Sequence, residues 1–194
     1  MMALGILPKS LKISDVEYPI YTDFHIALLI LQAYNDENLK PMERCEVMIR
    51  SLFHEPDKVF KSIKNEADFE EVIKQCIWYL DCGKEWEIKS HQPKLMDWEQ
   101  DEQMIFSAIN KVAGKETRDC NYIHWWTFIS YMNEIEDGLF STVMHIRKKK
   151  AKGKQLDKSE VQFYTEHKEL IDLKKKYTPE EEKEIKELMK IFEW

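Results

Sequence analysis

The sequence predicts a mainly α fold: a helical bundle-like domain with a small N-terminal β-hairpin and charged C-terminal helices. Apolar residues recur at helical spacing through most of the 194 residues, and residues suited to capping precede several of these stripes. The chain has only 5 Gly and 6 Pro, fewer than the many tight turns of a sandwich or barrel require. One segment, residues 9–21, alternates apolar and polar side chains, which predicts the hairpin.

Four apolar stripes after the hairpin predict four helices, because each follows a residue suited to a cap or a first turn. They begin at Thr22 or Asp23, at Pro41, at Asp68 and at Asp97. Gly83 and Gly114 are placed to end the third and fourth helices, since glycine readily adopts the left-handed conformation of a helix C-cap. The fourth stripe comprises Met104, Ile105, Ala108, Ile109 and Val112.

An aromatic block, Tyr122-Ile-His-Trp-Trp-Thr-Phe128, lies in a fifth predicted helix that runs from about Asp119 to Ile135. Consecutive side chains on a helix point about 100° apart, so the two tryptophans need two different partners. We expect one of them in the core and the other at a second surface. For His124 we expect burial with one hydrogen bond rather than a role as a general base. A short helix from Ser141 to Arg147 is predicted next.

The composition changes at residues 147–154, where the sequence is Arg-Lys-Lys-Lys-Ala-Lys-Gly-Lys. A basic run with almost no apolar residues is typical of a solvated linker, and contact with nucleic acid is the less favoured interpretation. The sequence therefore predicts three units. They are a helical core with the hairpin (1–146), a basic hinge (147–157) and a charged C-terminal helical pair (158–194).

The two helices of the C-terminal pair have clear start signals. Asp157 or Ser159 begins the first, and Thr178-Pro-Glu-Glu181 begins the second with a capping box and a proline in the first turn. The second helix carries a narrow apolar stripe between charged residues, formed by Ile185, Leu188, Met189 and Phe192. This stripe suits either docking on the body of the protein or gripping another helix.

The bulk charge restricts the classes of partner. The formal net charge is −7, which opposes nonspecific binding to phosphate backbones. The longest apolar run, Ile26–Leu31, is far shorter than the roughly 18 residues of a membrane span. Four unpaired cysteines and the lack of a signal-peptide pattern predict a soluble cytosolic protein with reduced thiols.

Common catalytic and metal-binding signatures are lacking in the sequence. There is no GxSxG, P-loop, GxGxxG, HExxH or CxxC pattern. Cys120 and His124 are four residues apart on a predicted helix, but a structural zinc site takes four ligands. The acidic cluster between Asp97 and Glu102 suits a helix N-terminus. We therefore expect no enzymatic activity, no catalytic residue, no metal and no cofactor.

Four short segments of the sequence are informative in combination. They are Val16–Phe24, Trp78–Lys84, Met96–Asp101 through Ile105–Ala108, and Tyr122–Phe128. Together they make the chain resemble the gene-product-fifteen family of tailed bacteriophages that infect Gram-positive hosts, over roughly residues 8–170. Such proteins usually have glycine at the hairpin turn, where this chain has Ser14-Asp15, and the helix Thr178–Trp194 lies outside the shared pattern.

The resemblance implies a tail assembly chaperone that acts in the host bacterial cytoplasm and is absent from the mature virion. Its partner would be the long, helical tape measure protein, which it would keep soluble until the tail tube polymerises. A sister tail chaperone is a further candidate partner, and self-association is expected. Many weakly bound copies along one filament would give avidity while each copy stays displaceable.

We expect partner contact at two groups of apolar residues. They are Trp125, Trp126, Phe128 and Tyr131 of the aromatic block, and Ile185, Leu188, Met189 and Phe192 of the C-terminal stripe. Two other functions stay open. One is a structural tail completion or connector protein of the virion. The other is an uncharacterised metal-dependent enzyme that uses Cys120, His124 and the acidic cluster.

Overall fold

The computed structural model of the chain describes residues 4–84 and 93–174. Within these ranges, helices dominate and one two-stranded sheet lies near the N-terminus, which confirms the predicted mainly α fold. The elements are β1 (Ser10–Ile13), β2 (Val16–Pro19), α1 (Phe24–Tyr34), α2 (Pro41–Leu52), α3 (Pro56–Ser62), α4 (Glu66–Leu80), α5 (Glu102–Ala113), α6 (Trp125–Asn133), α7 (Leu139–Ala151), α8 (Lys158–Glu166) and α9 (Lys168–Ile171).

The hairpin turns at Ser14 and Asp15, whose φ angles are 44° and 66°. Two consecutive residues with positive φ are the mark of a type I′ turn, which matches the twist of the strands it joins. The Glu71 carboxylate of α4 accepts hydrogen bonds from the backbone N–H and the hydroxyl of Ser14, both at 2.9 Å. This contact offsets the strain of a left-handed serine. It also holds the hairpin on α4, against which Leu11 and Ile13 are buried.

The start signals of the first helices are largely confirmed. The Asp23 carboxylate accepts a hydrogen bond of 3.0 Å from the backbone N–H of His25 and caps α1. Pro41 is the first residue of α2. Helix α4 begins earlier than predicted, because Asn65 is its cap and bonds the N–H of Asp68 at 3.0 Å. The short helix α3 was not predicted, since seven residues carry little periodic signal.

The predicted start of the fourth helix at Asp97 is wrong. Asp97 instead caps a turn, in which its carboxylate accepts the N–H groups of Glu99 and Gln100 at 3.0 Å. The carboxylate of Asp101 in turn accepts the N–H of Asp97 at 2.9 Å. Helix α5 therefore begins five residues later, at Glu102. It ends before Gly114, which has the predicted left-handed conformation.

The basic stretch does not begin as a linker. Helix α7 continues to Ala151, so that the first part of the predicted hinge is helical. Arg147 is only 5% exposed and forms a bidentate ion pair with buried Asp101, at 2.6 and 2.9 Å. The sequence interpretation of residues 147–154 as a solvated linker is therefore wrong for Arg147, which is buried with an acidic partner.

The first C-terminal helix, α8, begins after Asp157, whose carboxylate accepts the N–H of Glu160 at 2.9 Å, as predicted. It is followed by the one-turn helix α9. Ile171 of α9 is fully buried and belongs to the same core as the hairpin residue Leu11. The second predicted helix of the pair lies outside the described residues, and the division into three units stays a prediction.

Candidate partner-binding site

Helix α6 begins where a histidine caps it. The Nδ1 atom of His124 accepts a hydrogen bond of 3.1 Å from the backbone N–H of Trp126. Nε2 must then carry the proton, which it donates to the carbonyl of Pro8 at 3.0 Å. His124 is 4% exposed, and burial lowers its pKa. The side chain thus joins α6 to the N-terminal segment and has both ring nitrogens occupied.

The two tryptophans of the aromatic block bind the same helix end. The indole N–H of Trp125 donates to the carbonyl of Leu80 at 2.9 Å, and that of Trp126 donates to the carbonyl of Tyr79 at 2.8 Å. Carbonyls in the last turn of a helix have no partner inside that helix. The tryptophan pair therefore completes the C-terminus of α4. The two tryptophans were expected to need two different partners, and their indole N–H groups bind two neighbouring carbonyls, those of Leu80 and Tyr79.

Phe128 is a core residue, so the expectation that it is exposed for partner contact is wrong. One of the two tryptophans was expected in the core, and Trp125 is that residue. Phe128 is fully buried and Trp125 is 2% exposed. Phe128 stacks on Phe24 of α1 with ring centroids 4.3 Å apart, and Trp125 stacks on Phe128 at 5.9 Å. Helix α6 turns this face toward α1 and α5 because the large aromatic area is buried there.

Trp126 and Tyr131 are half-buried and keep part of their surface accessible. Their partner contact stays a prediction. Trp126 packs against Trp78, with ring centroids 5.5 Å apart, and against Gly83. The other predicted contact residues lie outside the described ranges; they are Ile185, Leu188, Met189 and Phe192.

A groove that was not predicted lies between α5 and the connection from α6 to α7. It has a volume of about 630 Å³. Its apolar lining comprises Met104, Ala108, Val112, Ile135, Leu139 and Phe140. Leu139 is 49% exposed at the edge of the groove. The apolar stripe of α5 was the available signal. Ile105 and Ile109 are fully buried, whereas Ala108 and Val112 of the adjacent row are half-buried and line the groove, with buried Met104 at the end of that row.

One rim of the groove is acidic. Glu134, Glu136 and Asp137 line it and are exposed. Among the described residues, no cation forms an ion pair with these three carboxylates. Lys111 lies in the lining on the α5 side. An apolar floor beside an acidic rim can accept an amphipathic segment that carries positive charge.

The residues considered for metal or catalytic chemistry are placed in structural roles. Cys120 Sγ contacts the carbonyl of Glu116 at 3.4 Å, and the ring nitrogens of His124 are occupied as described. Burial raises the pKa of the Cys76 thiol, and it raises that of Cys82 to about 11. Across residues 4–84 and 93–174, no group of three or more His, Cys, Asp or Glu side chains could hold a metal ion.

In the described part of the chain, no helix combines the length and the apolarity needed to cross a bilayer.

Comparison with known proteins gives one finding. A family model described as bacteriophage Gp15 protein matches residues 5–178. Neither the curated proteins nor the solved structures contain a significant match to the chain.

Proposed function

Because the chain belongs to the bacteriophage Gp15 protein family, we propose that it is a tail assembly chaperone of a phage of Gram-positive bacteria. It binds the helical tape measure protein and keeps it soluble until the tail tube polymerises. It acts in the host cytoplasm and leaves before the virion is complete. The proposal assigns no catalysis, metal or cofactor to the chain, and no binding to nucleic acid.

The open apolar groove on a protein of this family is the observation that carries the proposal. A long tape measure exposes apolar helix stripes until subunits surround it, and such stripes aggregate unless they are covered. The groove presents apolar side chains of α5 and α7 beside a polar rim, which is the form of site that takes an amphipathic helix.

The charge of the chain supports a coat of many copies. At a net charge of −7 per copy, coated filaments repel one another and stay soluble. Each copy needs only a weak site, because many sites on one filament raise the overall affinity. Weak individual contacts also allow the tail tube subunits to displace the copies in turn. Self-association and binding of a sister tail chaperone belong to the same proposal.

Co-expression with the tape measure protein of the same phage tests the proposal. We expect the tape measure to be found in the soluble fraction with this chain and to precipitate with an unrelated acidic helical protein of similar size. Affinity capture of the chain should recover the tape measure. An insoluble tape measure that never co-purifies with the chain would reject the chaperone function.

Mass spectrometry of mature phage particles separates the chaperone from the structural alternative. A chaperone should be absent from the particles although it is abundant in the infected cell. A tail completion or connector protein would be present at a constant number of copies per particle, and that result would replace the proposed function.

A further inference from the structure

We infer that the groove between α5 and the α6–α7 connection binds one amphipathic helix whose apolar stripe is flanked by lysine or arginine. The inference rests on the proposed function in one respect, since the tape measure protein is taken as the source of the helix. The shape of the groove and its charge each support this occupant, and the two can be tested separately.

The length of the groove matches about two turns of a helix. Met104, Ala108 and Val112 are spaced four residues apart and form a row along α5 that is about 12 Å long. Ile135 and Phe140 form the opposite wall. The small side chain of Ala108 in the middle of the row allows the backbone of a second helix to approach α5 closely. Apolar residues at every third or fourth position of the occupant would meet this row.

The charge of the groove favours basic residues on either side of the apolar stripe of the bound helix. Its acidic rim consists of Glu134, Glu136 and Asp137, whereas Lys111 is the one cation among the described lining residues. The carboxylates are exposed, so they attract a basic partner at low cost in desolvation. A helix with acidic flanks would face repulsion at the same place.

The charge also argues against the two other occupants that this chain could supply. The segment 178–194 has six acidic and three basic residues, Glu180, Glu181, Glu182, Glu184, Glu187 and Glu193 against Lys183, Lys186 and Lys190, which gives a net charge of −3. A second copy of the whole chain has a net charge of −7. Both are net acidic, so neither offers the long-range attraction to the acidic rim that a basic amphipathic helix of another protein offers.

Fluorescence anisotropy with designed peptides tests the inference on the full chain. The first peptide has roughly 18 residues, leucine at every third or fourth position and lysine on both flanks of the leucine stripe. The second has glutamate in place of lysine, and the third has the composition of the first in scrambled order. We expect the first peptide to bind at least about tenfold more tightly than either of the others.

Charge reversal on the rim locates the binding. Glu134 and Glu136 are exposed and form no side-chain hydrogen bond or ion pair within the described part of the chain, so the variant Glu134→Lys/Glu136→Lys should fold normally. It should weaken binding of the lysine peptide about tenfold or more and strengthen binding of the glutamate peptide. The control Glu37→Lys/Glu169→Lys makes the same change in net charge at exposed residues that do not line the groove.

The apolar floor is tested with Ala108→Trp, which fills the middle of the groove. This variant should lose binding of the lysine peptide at all salt concentrations, whereas the rim variant should lose mainly the salt-dependent part. Circular dichroism checks that Ala108→Trp folds, and the rim variant decides the question if it does not. Equal binding of all three peptides, or equal loss in the rim variant and its control, overturns the inference.

Two further results separate this inference from the proposed function. If the chain captures the tape measure protein equally well with and without the rim reversal, the chaperone function stands and the groove is not its site. If the lysine peptide binds in the groove but the tape measure is not captured, the groove stands and the chaperone function fails. A dimer that the rim variant abolishes would identify a second copy as the occupant and reject the inference.

Discussion

Arg147 uses all of its guanidinium N–H groups inside the protein. Besides the two bonds to Asp101, it donates to the carbonyls of Leu95, Leu170 and Ile171 at 2.9, 2.9 and 2.6 Å. One side chain of α7 thus joins the turn before α5 to α9. A buried ion pair adds little net stability when compared with well-packed apolar residues, but the loss of one partner leaves an uncompensated charge in the core.

We therefore expect Arg147→Met to lower the free energy of unfolding by about 3–5 kcal/mol, measured by urea denaturation. The matched control is Lys148→Met, because Lys148 is the next residue and is exposed; its cost should be within about 0.5 kcal/mol. The double variant Arg147→Met/Asp101→Leu should recover part of the loss. If Arg147→Met costs no more than Lys148→Met, the buried pair does not hold these segments together.

His124 makes the stability of the protein depend on pH. Burial lowers its pKa in the folded chain below the ordinary value of 6.5. Between the two pKa values the unfolded chain binds more protons than the folded chain, so the free energy of unfolding decreases as the pH falls through this window. Protonation of Nδ1 would also remove the acceptor that caps α6.

We expect His124→Asn to reduce this pH dependence, because asparagine keeps a side-chain acceptor at the cap but does not titrate. Urea denaturation from about pH 7 to pH 5 should give a shallower slope for the variant than for the unchanged protein. His54→Asn, at an exposed histidine, is the control for a histidine-to-asparagine change at the surface. Parallel curves for the His124 variant and the unchanged protein would contradict the prediction.

At the scale of elements, the end of α4 and the start of α6 form one unit. Gly83 has a φ of 82°, and a Cβ added to it would lie 3.0 Å from Cη2 of Trp126. The N–H of Gly83 bonds the carbonyl of Trp78 at 2.8 Å and closes the helix end. The ring of Trp126 packs on the bare backbone of this turn while its indole N–H binds the carbonyl of Tyr79. Trp126 can pack in this position only because residue 83 has no Cβ.

We expect Gly83→Ala to lower the free energy of unfolding by about 1–3 kcal/mol, through both the unfavourable φ and the contact with Trp126. Trp126→Phe removes the atoms that the added Cβ would meet and should reduce the cost of the alanine in a double-mutant cycle, measured by urea denaturation. Gly114→Ala is the control, since Gly114 has a similar φ but open space around it. Equal costs at the two glycines would show that packing on Trp126 contributes nothing.

Several elements could be predicted from the sequence because their signals are local. The hairpin follows from alternation in residues 9–21, and α1, α2 and α8 follow from Asp23, Pro41 and Asp157 at their first turns. A cap is a bond between residues two or three positions apart, so the sequence contains both partners. The family also rests on short segments, and two of them, Trp78–Lys84 and Tyr122–Phe128, prove to be the two halves of the unit described above.

Most of the features that sequence reasoning missed depend on partners far apart in the chain. Asp97 is the exception, because its N–H bonds Asp101 only four residues away, and an acidic residue before an apolar stripe looks the same whether it starts the helix or the turn before it. Arg147 looks like a solvated charge because its partners include residues about 24 and 46 positions away. The groove needs α5 beside the α6–α7 connection. Phe128 was placed at a surface because helical periodicity gives the angle between side chains but not the direction of the core.

At the scale of the whole molecule, α9, the last helix of the described residues, packs into the same core as the N-terminal elements. Ile171 is buried, and the carbonyls of Leu170 and Ile171 are acceptors for Arg147. Around this contact, exposed and half-exposed charges pair across α7 and the C-terminal segment, as Lys149 does with Glu160 at 2.5 Å. The basic run of α7 therefore binds the acidic residues that follow it. These contacts cross the predicted boundaries at residues 147 and 158, so deleting the C-terminal segment tests whether residues 158–194 form a separate unit.

Two truncations locate that boundary. A chain that ends after Lys174 keeps Ile171 and the carbonyls of Leu170 and Ile171 that accept from Arg147. A chain that ends after Glu166 loses them and leaves guanidinium N–H groups buried without acceptors. We expect the shorter chain to be less stable than the longer one by at least about 3 kcal/mol in urea denaturation, since it loses a buried apolar side chain and two charge-assisted hydrogen bonds. If residues 158–194 were an independent unit, the two truncated chains would unfold at the same urea concentration. The chain that ends after Lys174 also lacks the C-terminal stripe of Ile185, Leu188, Met189 and Phe192 but keeps the groove. Comparing its capture of the tape measure protein with that of the full chain therefore separates the contribution of the stripe from that of the groove.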